Sequence, residues 1–298
     1  MKQARQLLKI TRFILRHPIG RRNPGKCIRK FLAWQLSQTI RPRRRIVPFI
    51  GKVRLSVTKG MEGATGNIYT GLHEFNEMGF LLHFLRKEDL FADIGANIGS
   101  YTMLASGYVG CRSVCFEPVP QTFNSLLENI RINDLGNRVR AENKGVGQKS
   151  SKMFFTEGND SGNHVVANEE EENNVVEVEV ISLDNYFQGD CPSLVKIDVE
   201  GFETEVLNGM GSVLTDPRLK ALIIELNGSG MRYGYKEEDI HRKLLSHEFL
   251  PYQYDPFSRS LKPLLSFGSH NTIYVRDVNV VNERLQAAPQ VKIFSTIF

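Results

Sequence analysis

Leu90-Phe91-Ala92-Asp93-Ile94-Gly95-Ala96-Asn97-Ile98-Gly99 decides how the rest of the chain is read. A short apolar run, Leu90 to Ala92, leads to an acid and then to two glycines four apart. Beyond it Ile98, Tyr101, Ala105 and Tyr108 recur at the three- and four-residue spacing of a helix. Strand, tight turn and helix in that order make the opening βα unit of a doubly wound α/β domain, in which ligands gather at the carboxyl ends of the strands. Gly95 can turn the chain at positive φ, and Gly99 permits close approach of a ligand or a strand. Asp93 puts a carboxylate at the strand's mouth.

The turn is selective about what it would bind. A dinucleotide site prefers G-x-G-x-x-G, with a pyrophosphate on the helix N-terminus. Here the pattern is D-x-G-x-x-x-G, and its acid would repel a pyrophosphate. A cofactor that lacks phosphates and carries an ammonium, such as S-adenosylmethionine, suits it better; a strand–turn–helix without a ligand is the alternative. The next unit adds to the pattern. Ser113 to Phe116 reads as a second strand, ending in Glu117-Pro118, and a helix follows with Phe123, Leu126, Leu127 and Ile130 on one face. Two βα units place an acid about 20 residues on, where it meets a ribose diol, and Glu117 stands at that distance from Asp93.

The remaining elements fill out the domain. Residues 52–70, with alternating Val53, Leu55 and Val57 and then glycines, read as short strands, and Phe75 to Leu85 as a helix leading into the opening strand. Residues 138–147 make a third strand and a glycine-bearing loop that includes Asn143. Met153 to Phe155 and Val175 to Ile181 read as added strands flanking a polar loop, Asp160-Ser161-Gly162-Asn163-His164, and an acidic run, Glu169 to Glu172, read as a solvated tip. Leu194 to Ile197 is a further strand, ending in Asp198-Val199-Glu200-Gly201-Phe202-Glu203. Ala221 to Leu226, a helix at Glu237–Ser246 and a closing strand at Thr272–Val275 complete the series.

Charge is divided unevenly along the 298 residues. Residues 1–60 hold 17 Lys and Arg and no acid, whereas the remainder holds 21 bases against 33 acids. The net charge of +5 therefore belongs to the N-terminal segment, which weakens any nucleic-acid reading built on the overall balance. In residues 1–45, Leu7, Leu8, Ile10, Ile14 and Leu15 form an apolar stripe among Lys9, Arg12 and Arg16, and a second basic cluster runs from Arg41 to Arg45. Such a helix suits an anionic membrane surface, a packing or dimerisation arm, or a targeting segment. Residues 1–60 are read as a basic extension and 61–298 as one catalytic domain. Cys27, Cys111, Cys115 and Cys191 show neither C-x-x-C nor zinc spacing, which suits free thiols in a reducing, cytoplasmic setting. No stretch approaches the roughly 20 apolar residues of a membrane span.

Four blocks then carry a resemblance: Asp93 to Gly99, Phe116-Glu117-Pro118, Ile181-Ser182-Leu183-Asp184 and Lys196 to Glu203, with Gly71-Leu72-His73-Glu74 upstream. Together they resemble the FkbM family of S-adenosylmethionine-dependent methyltransferases, from about Gly71 to about Asn227. The resemblance implies a Rossmann-like, seven-stranded sheet whose last strand is antiparallel, here with extra strands between the third and fourth. It implies O-methylation of a sugar or metabolite hydroxyl. By motif match Asp93, Gly95, Ala96, Asn97 and Gly99 would line the methionine end of the cofactor, Glu117 would take the ribose, Asn143 would sit near the adenine, and Asp198 would face the transferring methyl group.

A sugar hydroxyl is a poor nucleophile, so a base is expected among Asp198, Glu200, Glu74 and His164, with His73 behind them. Glu203 reads as a carboxylate complementing a helix N-terminus. No metal is expected, because Glu225-Leu226-Asn227 does not match the adjacent Asp-Asn of a catechol-type site. An Asn/Asp-Pro-Pro-aromatic turn for DNA amino groups is also missing. Tyr233, Tyr235, Tyr252 and Tyr254, in the 230–270 region, are candidates to stack on a sugar face.

Overall fold

The computed structural model describes residues 2–158, 162–166 and 174–298. Asp160, Ser161 and the acidic run Glu169 to Glu172 lie outside the described residues. The chain begins with three helices, α1 (Lys2–Arg16), α2 (Pro18–Arg22) and α3 (Pro24–Ile40), and a hairpin, β1 (Arg45–Pro48) with β2 (Arg54–Val57). Helices α4 (Glu62–Thr70) and α5 (Phe75–Phe84) lead into β3 (Leu90–Ile94). Residues 62–70 are thus helical, not strand. Glycines at 63 and 66 mask the helical spacing of Ala64 and Ile68, and Gly66 is required because a Cβ there would lie 2.0 Å from the His73 ring.

After β3 come α6 (Ser100–Thr102), continued as a π-helical segment over Met103–Val109, then β4 (Arg112–Phe116), α7 (Pro120–Ile132) and β5 (Val139–Glu142). Strands β6 (Gly145–Val146), β7 (Ser151–Thr156), β8 (Val165–Val166) and β9 (Val175–Ile181) form a separate four-stranded sheet in the order β6-β9-β7-β8. This is the expected insertion. The chain returns through α8 (Leu183–Tyr186), β10 (Leu194–Ile197), α9 (Glu203–Asn208), α10 (Gly211–Thr215), β11 (Ala221–Glu225), α11 (Glu237–Ser246), β12 (Leu250–Asp255), β13 (Ser260–Pro263), β14 (Asn271–Val275) and α12 (Val278–Gln286). A last hairpin joins β15 (Lys292–Ile293) to β16 (Thr296–Ile297).

The main sheet runs β13-β12-β14-β11-β10-β3-β4-β5. Its five strands from β5 to β11 are parallel, and β14 pairs antiparallel with β11. That is the doubly wound Rossmann-like order, with one correction: the sheet has eight strands, because β13 pairs with β12 and extends the edge. Alternation along each strand feeds two cores. On β10, Val195 and Ile197 enter the layer under α9 and α10, while Leu194 and Lys196 point to the other face. Lys196 stands in register with Asp93 on β3, so both charges lie on that face.

The N-terminal helices share this second core. Ile14, Ile19, Cys27, Phe31 and Trp34 are buried in it, and Asn23 donates to Thr296 Oγ1 at 2.7 Å. All four cysteines are buried free thiols.

Candidate functional site

The carboxyl ends of β3, β4, β10 and β11 open into one cleft of about 1110 Å³. Its floor is the glycine turn. Gly95 adopts a φ of +79°, and a Cβ there would meet the Asp198 carbonyl oxygen at 1.8 Å. Gly99 at +85° is pressed instead on Leu126 of α7. Both glycines therefore hold the turn against its neighbours, and Asn97 (φ +50°) completes it. Asp93 Oδ2 accepts from Thr102 N and Thr102 Oγ1, at 3.0 and 2.6 Å, which ties the strand to the helix start. Burial pushes its carboxyl up, against the pull of Lys196.

Glu117 follows β4 and is buried. Its Oε2 accepts from the Asn97 amide at 2.9 Å and its Oε1 from the Val119 amide at 3.0 Å. Burial outweighs these bonds and pushes it up to about 7. Each carboxylate oxygen has a second lone pair, so the group can still accept from a diol in the cleft. Asn143 is placed differently from expectation. Its Nδ2 donates to the carbonyls of Glu117 and Pro118, both at 2.9 Å, so it braces Glu117 from behind and does not itself line the cleft.

At the other end stand Asp198, Glu200 and Glu225, whose carboxylate oxygens come within 4.8 Å of one another. Lys196 Nζ lies 2.6 Å from Asp198 Oδ2 and 4.8 Å from the centre of the Tyr101 ring. Burial alone would lower the ammonium, but Asp198, Glu74 and Asp93 hold it charged, well above its ordinary range. Burial would raise Asp198, yet Lys196 and a hydrogen bond with Glu225 hold it down. Glu225, buried beside that charge, is pushed up to about 9 and so carries the shared proton. Glu200 sits at a left-handed φ of +53°, and burial with the neighbouring charges of Asp198 and Glu203 lifts it to about 7.

Three acids so close form a set that a divalent cation would suit, but Lys196 already places a positive charge against Asp198. Glu203 is not a plain dipole partner. Its Oε1 accepts from the Val199 and Gly201 amides and holds the turn that presents Glu200.

Glu74 also reaches the cleft, accepting from Tyr101 Oη at 2.7 Å and from Asn271 Nδ2 at 2.6 Å. His73 lines the cleft beside it. His164 does not: it lies at the mouth of the inserted sheet, its amide on Thr156 Oγ1 and its Nδ1 3.0 Å from the Gly162 carbonyl. None of the four tyrosines lines the cleft either. Tyr254 is buried on His83, Tyr252 is buried, and Tyr233 and Tyr235 donate to the Val165 carbonyl and to Glu205. The 230–270 region is therefore not a wall. The aromatic lining comes from Phe13, Trp34, Tyr69, Tyr101, Phe116, Phe155 and Phe202, so α1, α3 and the inserted sheet contribute walls alongside the main sheet.

The FkbM methyltransferase domain matches residues 93–251, from the glycine turn to the start of β12. The chain belongs to the FkbM methyltransferase family. It is 30% identical over 171 residues to the hexuronic acid methyltransferase AglP of Haloferax volcanii, covering 56% of this chain and 65% of that protein. It is 28% identical over 148 residues to Methyltransferase 1 of Beauveria bassiana, covering 41% and 59%. The chain thus spans about three fifths of the length of these curated relatives. Among solved structures it is similar to an rRNA methylase from Streptococcus thermophilus, at 13% identity and a TM-score of 0.37, covering 66% of this chain and 91% of that one. The FkbM match starts at Asp93, so α1 to α5, including the cleft residues Trp34 and Glu74, lie outside it.

Proposed function

We propose that this FkbM-family chain is an S-adenosylmethionine-dependent O-methyltransferase whose acceptor is a sugar hydroxyl of a glycan, a glycolipid or a related metabolite. The observation that carries the reading is one cleft with Glu117 at one end and Glu200 at the other, joined by the Asp93–Gly99 turn. The donor set fits the cofactor: buried Glu117 for a ribose diol, Asp93 for an ammonium, and a turn too acidic for a pyrophosphate. When bound, that cofactor supplies an activated methyl group on a sulfonium. The sugar acceptor draws support from the hexuronic acid methyltransferase of H. volcanii.

The chain's own contribution is mostly positioning. Holding a hydroxyl in line with a methyl group is worth roughly 7–11 kcal/mol, against roughly 10²–10⁴-fold from a general base. Glu200 is the base in this reading, since a carboxylate near 7 is half ionised at neutral pH. Asp198 is a weaker base, held ionised on Lys196, and Glu225 is protonated beside it. Lys196 keeps this end of the cleft from accumulating uncompensated negative charge. Trp34 and Phe13 line the cleft and offer apolar surface to an acceptor.

Titration calorimetry with S-adenosylhomocysteine tests the cofactor half, and failure of the intact chain to bind it would end the proposal. Transfer of label from methyl-labelled cofactor to a panel of glycosides tests the acceptor half; transfer only to non-sugar hydroxyls would remove the sugar from it.

A further inference from the structure

Helix α3 is apolar on two opposite faces. Cys27, Phe31 and Trp34 turn inward, as a helix packed on a core requires. On the far side Leu32, Leu36 and Ile40 form a second stripe at four-residue spacing, and they are 57%, 62% and 67% exposed. Helix α1 repeats this in part: Leu8 and Leu15, seven residues apart, are exposed while Ile14 is buried. A contiguous apolar face of this kind on a soluble domain marks an interaction surface.

Its surroundings indicate the partner. Residues 1–60 carry 17 bases and no acid, and Lys9, Arg12, Arg16, Arg29, Arg41 and Arg43 are exposed on these helices or just beyond them. Among the described residues, no ion pair involves a base of residues 9–45. A second copy of the chain would bring this unneutralised charge against itself across a two-fold interface. A surface with an apolar interior and an anionic skin meets both the leucines and the arginines.

The stripe also adjoins the cleft. Gln35, Gln38 and Thr39 of α3 and Leu7, Lys9 and Ile10 of α1 line it, and Thr39 is one turn from Leu36. No helix among the described residues is long and apolar enough to cross a membrane, so this contact would be made from one side.

We propose that α1 and α3 dock the chain on an anionic phospholipid bilayer, with Leu32, Leu36 and Ile40 entering the headgroup boundary. The cleft is then held against the bilayer surface, and the acceptor is the sugar headgroup of a membrane lipid. The second part rests on the methyltransferase reading given above; the docking does not.

Vesicle flotation tests the docking with the full chain. Vesicles of phosphatidylcholine alone are compared with vesicles holding about one third phosphatidylglycerol, at low and at high salt. Binding to the anionic vesicles at least tenfold above the neutral ones, weakened by salt, and lost in L32S/L36S/I40S is the expected result. All three positions are exposed, and circular dichroism with calorimetric binding of S-adenosylhomocysteine shows that the variant is folded. Equal binding by the variant, or no preference for anionic vesicles, overturns the docking. So does a stable dimer of the parent chain in light scattering that L32S/L36S/I40S converts to monomer without any vesicle binding. Incubation with labelled cofactor and glycolipid-bearing anionic vesicles then tests the acceptor. Label in the lipid fraction supports it, and label only in soluble glycosides overturns it. Vesicle binding without S-adenosylhomocysteine binding leaves the docking standing and removes only the methyltransferase reading.

Discussion

Lys196 and Asp198 lie two residues apart at the end of one strand, and their charged atoms meet at 2.6 Å on the wall of the cleft. Lys196 is thus the cation of a carboxylate group that includes Glu225, Glu200 and, across the Tyr101 ring, Glu74. Removing it should expose the repulsion it masks. For Lys196→Met we expect a loss of roughly 3–5 kcal/mol of stability at pH 8, as for other broken buried pairs. The loss should shrink at pH 5, where the unpaired acids protonate. Urea unfolding at the two pH values measures this; an equal loss at both would show that the lysine acts through packing alone.

Glu200→Gln should lower kcat by about 10²–10⁴-fold while leaving S-adenosylhomocysteine affinity within a factor of a few. In the parent chain the rate should rise as pH passes about 7, where the Glu200 carboxyl ionises, and the variant should lack that limb. If the variant keeps the rising limb, another group is the base. Asp198→Asn should instead disturb both rate and cofactor affinity, because it leaves Lys196 without its nearest partner.

Glu117→Ala removes the acceptor from two backbone amides and from the ribose position. A lost hydrogen bond to a charged group costs about 1.5–3 kcal/mol, so affinity for S-adenosylhomocysteine should fall at least tenfold by calorimetry. Asn143→Ala should weaken binding less, since it acts through Glu117. The reverse order would mean that Asn143 meets the adenine directly.

Stability should decline as pH rises from about 5 to about 7.5. Glu77, Glu117, Glu200 and Glu203 are each raised from 4.5 to about 7 by burial. The folded chain therefore holds protons that the unfolded chain has released, and the stability gained is whole below 4.5 and lost as pH rises through 7. His17 and His83 act oppositely, because burial lowers them from 6.5 to about 4 and their contribution grows with pH up to 6.5. The decline should be clearest between about pH 6 and 7.5. A melting temperature that is flat or rising across that interval would contradict the assignment.

Chelation should leave turnover unchanged, because Lys196 already supplies the positive charge at Asp198. Loss of activity in EDTA, restored by a divalent cation, would instead make Asp198, Glu200 and Glu225 ligands.

The strands and their acids were legible because each obeys a local rule. Asp93, Glu117 and Asp198 end apolar runs, and the parallel order follows from alternating strands and helices. Residues whose partners are distant in sequence were not legible in the same way. Glu225 takes its proton from proximity to Asp198, Glu74 is fixed by Tyr101 and Asn271, and Asn143 turns back onto Glu117. Lys196 did carry a signal, a lone charge inside Leu-Val-Lys-Ile, which marks a buried cation in need of an acid. The basic extension could be read as amphipathic, but its burial against the main domain depends on contacts with Tyr69 and Phe75 and, at the far end of the chain, with Thr296.

That last contact sets an order of events during synthesis. Asn23 is bonded to Thr296 and Ser295, so the junction of α2 and α3 obtains those partners only once the ribosome has passed residue 296. The inward face of α3 is covered earlier, since Phe31 packs edge-on against Tyr69 of α4, so what waits is the corner at Asn23. A ribosome stalled before codon 295 would therefore display the N-terminal helices with the α2–α3 corner still untied.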